Sequence, residues 1–147
     1  MKTYENNLEI ALIRSVGASA EEVTRIYCHD VYDECGDIMV WVGCGMDKRL
    51  VKALDDTPWL LAQLAKRLGH TTLVQEKPND DEAEAAQGHF AWEMYQQYVT
   101  GDISQVPECR RLEGYNGEYY DEAVLEQVAN LMGGYAADYV TYLIARK

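Results

Sequence analysis

The sequence predicts a mainly α-helical fold: a single compact domain, residues 1–147, built from five to six helices. Serine, threonine or asparagine repeatedly precedes a run of apolar residues at helical spacing, which is the pattern of a capped helix. Only 3 prolines interrupt the 147 residues, a length that suits one domain. Continuous β-prone residues are confined to Ile38–Val42 and Thr71–Gln75. We expect these two segments to pair as a small two-stranded β accessory, unless Ile38–Val42 is a buried turn of helix.

Two helices are expected in the first 35 residues. The first spans Asn6–Val16 and is capped by Asn6. The second begins with a capping box between Ser19 and Glu22 and runs to Cys35. Because their connection is so short, the two helices are predicted to form a helical hairpin.

Two further helices are expected in the middle of the chain. A short one starts at Asp47, and a longer one starts at Thr57, where a proline follows the capping residue, and stops before Gly69. The apolar residues of the longer helix are expected to face the core: Leu60, Leu61, Leu64, Ala65 and Leu68.

The helix predicted within residues 76–98 carries a dense acidic cluster at its start. Asn79 is the expected cap, and Glu82 completes a capping box. Asp80 and Asp81 suit the positive end of the helix dipole. Gly88 weakens the middle of this helix by about 1 kcal/mol relative to alanine, which predicts a close helix crossing or a bend at that residue.

The last third of the chain starts with a loop and ends with a helix. Asn116-Gly117, flanked by Tyr115 and Tyr119, predicts a small hairpin. The final helix is expected to begin near Asp121, and Gly133-Gly134 either breaks it or admits a close neighbour. Its apolar face repeats at steps of three and four residues: Val124, Val128, Leu131, Tyr135, Tyr139 and Tyr142.

The chain is strongly acidic, with a formal net charge of −12. Residues 1–75 hold 8 Lys and Arg against 11 Asp and Glu, a balance of −3; residues 76–147 hold 5 against 14, a balance of −9. This charge repels phosphates and anionic lipids, so we expect neither direct nucleic-acid binding nor membrane binding. The sequence has no apolar run of membrane-spanning length and no signal-peptide pattern, so a cytoplasmic location is expected.

No motif in the sequence predicts a catalytic, cofactor or metal site. The 4 cysteines lack the C-x₂₋₄-C spacing of structural zinc sites, and we expect them to be free thiols, most of them buried. Neither a cofactor nor enzymatic activity is therefore expected. The alternative is an enzyme in which Cys28 with His29, or His70 with His89, forms a reactive pair.

Tyrosine is unusually frequent, with 11 residues against a single phenylalanine. Tyrosine favours half-buried and interface positions, because it buries area while its hydroxyl still needs a partner. Acidic residues near two helix starts accompany several of these tyrosines and indicate an acidic, tyrosine-rich binding face. The predicted contact residues are Asp80, Asp81, Glu84, Tyr115, Glu118, Tyr119 and Glu122.

Together these features favour a small binding protein that inhibits or neutralises a basic protein partner, such as a nucleic-acid-binding enzyme. Nuclease inhibitors, phage or mobile-element anti-defence proteins and toxin-immunity proteins have this general composition, because carboxylates along a helix can stand in for nucleic-acid phosphates. The other alternative is a homodimeric structural protein in which Tyr135, Tyr139 and Tyr142 form the seam between two copies.

Overall fold

The computed structural model describes residues 7–147, which contain six α-helices and two small antiparallel sheets. The helices are α1 (Leu8–Val16), α2 (Ala20–Val23), α3 (Thr57–Leu68), α4 (Asp80–Tyr98), α5 (Glu122–Leu131) and α6 (Ala137–Arg146). The strands are β1 (Val31–Glu34), β2 (Asp37–Val42), β3 (Arg49–Lys52), β4 (Arg111–Glu113) and β5 (Tyr119–Asp121). The predicted mainly α fold with a small β accessory is therefore confirmed. None of the described helices is long and apolar enough to cross a membrane.

Helix α4 is the central element of the fold, because it is buried on two opposite faces. Gly88 and Phe90 are two residues apart and so project about 200° apart around the helix axis. Phe90 packs against Gly17 at the end of α1, and Gly88 lies against the backbone carbonyl group of Leu143 in α6. The close helix crossing predicted at Gly88 is confirmed.

The start of α4 is also tied to the start of α1. Asn79 caps α4 as predicted, since its Oδ1 accepts hydrogen bonds from the backbone N–H groups of Asp81 and Glu82. The Glu82 carboxylate accepts a hydrogen bond of 3.2 Å from Asn7 Nδ2, and the Asn7 side chain in turn caps α1. The predicted cap Asn6 lies outside the described residues.

The predicted second helix is short, and a β-hairpin follows it. The capping box at Ser19 forms as expected, but α2 ends at Val23. Cys35 and Gly36 both have positive φ angles, 53° and 93°, and form the two-residue turn between β1 and β2. Such a turn matches the twist of paired strands, and Asn-Gly is its usual sequence signal. The helix predicted through to Cys35 is wrong, because Cys-Gly adopts this turn instead.

Strand β2 is the centre of a three-stranded antiparallel sheet with the order β1-β2-β3. Val40 lies opposite Val31 of β1 and opposite Val51 of β3, and all three side chains are buried. Ile38–Val42 is therefore a strand, which settles the choice that the sequence left open. The helix predicted from Asp47 is wrong, because Asp47 ends a 3₁₀ turn and Arg49–Lys52 forms the edge strand β3.

The expected strand partner of Ile38–Val42 is also wrong. Thr71–Gln75 lies against Ile26–Cys28, where the Leu73 N–H donates to the Ile26 carbonyl oxygen at 3.0 Å. Leu73 is buried. A β-prone segment needs only one open backbone edge, and sequence pattern does not specify which edge it finds.

Helix α3 faces the core with fewer side chains than predicted. Leu61 and Ala65 are buried, and Gly69 ends the helix in a left-handed conformation as expected. The remaining three predicted core residues of this helix are exposed: Leu60, Leu64 and Leu68. The buried side of the helix is formed by Pro58, Leu61, Ala62 and Ala65, so only one side of it is covered.

The C-terminal third follows the sequence pattern closely. Strands β4 and β5 form the hairpin predicted around Asn116-Gly117. Gly133 and Gly134 have φ angles of 103° and 90°, so they end α5 and separate it from α6. The sequence predicted one final helix from near Asp121, and the structure has two helices in its place.

We predict that Gly88→Ala destabilises the protein by about 1–3 kcal/mol, because the added methyl group would overlap the Leu143 carbonyl group and push α6 away from α4. Thermal or urea unfolding measures this change. Gln96→Ala, at an exposed position of the same helix, is the control and should leave the stability nearly unchanged. An equally stable Gly88→Ala variant would show that α6 does not approach α4 this closely.

Candidate functional site

A groove of about 340 Å³ lies where α2 and the start of α4 face the tyrosines around the start of α6. Its lining residues are Ser19, Ala20, Glu21, Asp80, Ala83, Glu84, Gln87, Tyr135 and Tyr139. We refer to these nine residues as the acidic groove. Three of them carry carboxylates and none of the nine is basic, so the groove presents negative charge beside aromatic rings.

Two helix starts bring the carboxylates of the groove together. The Ser19 capping box opens α2 and places Glu21 in its first turn, while the Asn79 cap places Asp80 in the first turn of α4. The positive end of the α4 dipole lowers the cost of holding Asp80 near Glu21. The Glu21 and Asp80 side chains are 76% and 77% exposed, so both remain accessible to a partner.

A lysine of the protein already lies at the groove's edge. Lys77 Nζ is 3.8 Å from a carboxylate oxygen of Glu21 and 3.8 Å from one of Asp80. The Lys77 side chain is 50% exposed, and ion pairs this open to solvent contribute little stability. The two carboxylates are therefore spaced to share one ammonium group that is only weakly held.

Four tyrosine rings continue from the groove in a row. The ring centroids are 5.0 Å apart for Tyr135 and Tyr139, 5.4 Å for Tyr139 and Tyr142, and 5.5 Å for Tyr142 and Tyr115. The Tyr142 hydroxyl donates to Glu84 Oε2 at 2.8 Å, and the Tyr135 hydroxyl accepts from Gln87 Nε2 at 3.2 Å. The row of rings is thereby fixed to α4, through Glu84 and Gln87.

The phenols beside the acids stay protonated at neutral pH. The hydrogen bond to Glu84 and partial burial raise the pKa of Tyr142 above its ordinary value. Burial, together with the negative charge of Glu84, raises the pKa of Tyr139. The negative charge of the groove therefore comes from the carboxylates alone, and the tyrosines contribute neutral rings and hydroxyl donors.

A second cavity of about 270 Å³ adjoins the groove and shares Ser19, Glu21 and Tyr135 with it. Behind it, Arg49 donates two hydrogen bonds to the Glu22 carboxylate, of 2.7 and 3.0 Å, and one of 2.8 Å to the carbonyl oxygen of Leu131. Arg49 therefore fixes α2, β3 and the end of α5 to one another. This ion pair sets the position of the α2 side of the groove.

Four of the seven predicted contact residues lie at or beside the acidic groove. Asp80 and Glu84 line it. Asp81 pairs with Arg146 Nη2 at 3.0 Å, and the Arg146 Nε lies 3.5 Å from Glu84. Tyr115 reaches the same area from the β4–β5 turn through its ring contact with Tyr142. Asp81 and Glu84 therefore already have an internal cation, whereas Asp80 has only the weakly held Lys77.

The other three predicted residues are not joined to this area. Glu118 and Tyr119 are exposed on the β4–β5 hairpin, and Glu122 is the first residue of α5. Among the hydrogen bonds, ion pairs and ring contacts within residues 7–147, none links these three to the acids of α4. Of the four predicted contact residues that follow α4, Tyr115 is the one with such a contact in the described part of the chain, through the ring of Tyr142.

Three of the five acidic and aromatic residues of the groove are absent from the predicted set: Glu21, Tyr135 and Tyr139. Glu21 belongs to the predicted capping-box turn, but no local signal indicates that this turn meets the start of α4. Tyr135 and Tyr139 appear in the sequence-based prediction only as part of the seam of the alternative homodimer. Their helical spacing was visible in the sequence, and the missing information was the path of the chain after Gly134.

The cysteine and histidines of the alternative enzyme hypothesis have contacts with residues outside the two proposed reactive pairs. Cys28 Sγ lies 3.5 Å from the backbone oxygen of His70, while the His70 ring bonds with Gln75 Nε2 at 2.8 Å. His29 stacks on Tyr27. Burial lowers the pKa of His89, and nearby Arg14 lowers it further. The expectation that most cysteines are buried is wrong, because three of the four lie in exposed turns. Within residues 7–147, no three His, Cys, Asp or Glu side chains are grouped to hold a metal ion.

Comparisons with known proteins gave no significant match to a family model, a curated protein or a solved structure.

We predict that Glu22→Gln destabilises the protein by about 1–3 kcal/mol at neutral pH, because the buried guanidinium of Arg49 loses its charged partner. Burial favours a raised pKa for Glu22, but the hydrogen bonds from Arg49 and Ser19 outweigh it and lower this pKa below the ordinary 4.5. A lowered folded-state pKa stabilises the protein above the unfolded-state pKa, and this contribution is lost as the pH falls through the folded-state value.

The difference in stability between the unaltered protein and Glu22→Gln should therefore shrink as the pH falls through the lowered pKa of Glu22, which urea unfolding at several pH values would measure. Glu126→Gln, at an exposed position of α5, is the matched control. A gap that is constant with pH would contradict a charged Glu22–Arg49 pair.

Proposed function

We propose that this chain is a small, non-enzymatic cytoplasmic protein that binds and neutralises a basic macromolecular partner through the acidic groove. The observation that carries the proposal is the junction of Glu21, Asp80 and Glu84 with the rings of Tyr135 and Tyr139 in one groove. The partner is expected to be a protein with exposed lysine or arginine side chains, for example a nuclease or another nucleic-acid-binding enzyme.

The chemistry of the groove suits a protonated amine. Carboxylates accept its hydrogen bonds, and a tyrosine face attracts a cation through the ring quadrupole, with about 0.5–2 kcal/mol for each favourable contact. Lys77 already shows an ammonium group placed between Glu21 and Asp80 at 3.8 Å from each. A partner lysine can take this place, because an exposed internal pair of this kind holds Lys77 only weakly.

The overall charge supports binding to a basic surface at long range. A net charge of −12, concentrated in the C-terminal half, accelerates encounter with a positively charged protein and repels competing nucleic acid. Nuclease inhibitors, anti-defence proteins of phages or mobile elements, and toxin-immunity proteins act in this manner. Because the attraction is electrostatic, binding should weaken as the salt concentration rises.

We predict that removing the three groove charges with Glu21→Gln, Asp80→Asn and Glu84→Gln lowers capture of the basic partner at least tenfold, equivalent to about 1.4 kcal/mol. The measurement is affinity capture from the native host with quantitative mass spectrometry, comparing the unaltered protein with the variant. The variant keeps the side-chain shapes, so a loss of capture reports on charge.

The matched control removes three charges elsewhere, with Asp102→Asn, Glu108→Gln and Glu126→Gln, all at exposed positions. This variant should capture the partner nearly as well as the unaltered protein. If both variants lose capture of the partner equally, the interaction depends on net charge and not on the groove. Unchanged capture by the groove variant would refute the proposed site.

A further inference from the structure

Helix α3 presents an uncovered row of leucines to solvent. Leu60, Leu64 and Leu68 are 65%, 43% and 63% exposed. Residues four apart lie next to one another on a helix, so the three side chains form a continuous ridge along one flank of α3. Such a ridge differs from scattered surface leucines, because contiguous apolar surface is typical of contact sites.

The charge around this ridge differs from the rest of the molecule. Asp55 and Asp56 precede the first turn of α3, and Lys66 and Arg67 lie in its last turn. The local sum is zero on a chain whose net charge is −12. Among the ion pairs of residues 7–147, none involves these four side chains. The helix is therefore negative at its start, positive at its end and apolar between.

We infer that α3 is a self-association surface on which α3 of a second copy of this chain packs in the antiparallel direction. A two-fold axis at the middle of the ridge places Leu64 against Leu64 of the partner subunit, and Leu60 against Leu68 of the partner subunit. A small crossing angle of about 20°, as in helical bundles, keeps the two leucine rows and the helix ends in contact along their length. The same patch then serves both copies, as a two-fold interface requires.

The charges select this orientation and this occupant. Antiparallel packing directs Arg67, which flanks the ridge, toward Asp56 at the start of the partner subunit's α3, and the two helix dipoles oppose each other favourably. Parallel packing would place like charges together at both ends. An unrelated acidic protein would match only one end of the helix, whereas a second copy matches both.

The exposed area sets the strength of the association. The three leucines expose on the order of 300 Å² per copy, or roughly 600 Å² for the pair, against about 1,200 Å² at the lower end for stable interfaces. The dimer is therefore weak and reversible. Because its centre is apolar and the rest of the two chains repel each other, added salt should strengthen it. Capture of a basic partner by the acidic groove should respond to salt in the opposite direction.

The test is sedimentation velocity of the full chain from low-micromolar to submillimolar concentration. We expect the average mass to rise from 16.7 kDa toward twice that value, and to rise at lower concentration when salt is added. Leu64→Glu places two like charges at the two-fold axis and should raise the dissociation constant at least tenfold. Met46→Glu, at a fully exposed apolar position outside α3, is the matched control and should leave it unchanged.

A charge exchange keeps the test decisive if Leu64→Glu disturbs folding, which circular dichroism would show. Arg67→Glu alone should weaken the dimer, and adding Asp56→Arg should restore most of the lost affinity, because the antiparallel pairing is rebuilt with its signs reversed. A chain that stays monomeric at every concentration would overturn the inference. So would a dimer that persists in Leu64→Glu and in Arg67→Glu but is lost in Tyr139→Glu.

Discussion

The contact between Gly88 and the Leu143 carbonyl group is the constraint on which the rest of the structure depends. A helix crossing this close needs a residue without a side chain, and only there can α6 approach α4 within backbone contact. The approach brings Tyr142 within 2.8 Å of Glu84 and sets the tyrosine row beside the acidic first turns of α4. A larger residue at position 88 would separate the rings from the carboxylates.

The folded protein can hold three carboxylates in the acidic groove because neighbouring positive charges partly offset their repulsion. Two helix N-termini face it, Lys77 lies between two of its carboxylates, and Arg146 lies beside a third. Beneath it, the buried pair of Arg49 and Glu22 holds α2 in place. The exposed ion pairs contribute little to stability, so they can be exchanged for the side chains of a partner without unfolding the chain.

Local signals in the sequence predicted α1, α3 and α4 well, and the sheet poorly. Asn79, Ser19 and Gly88 act through neighbouring residues or through the absence of a side chain, so their roles follow from pattern alone. The turn at Cys35-Gly36 and the pairing of β2 depend on strands that meet only in the folded chain. Two of the three groove carboxylates, Asp80 and Glu84, were predictable from the acidic start of α4, whereas the contribution of Glu21 depends on the tertiary contact between α2 and α4.

An NMR titration of the isotope-labelled protein with a lysine-rich peptide tests most directly whether the acidic groove is the binding face. If the acidic groove binds the peptide, amide shifts should be concentrated around Glu21, within residues 80–84 and within residues 135–142, and binding should weaken as salt is added. Residues 118–122 and α3 should remain nearly unaffected. Shifts spread evenly over all acidic segments, or centred on residues 118–122, would show that the acidic groove is not the binding face.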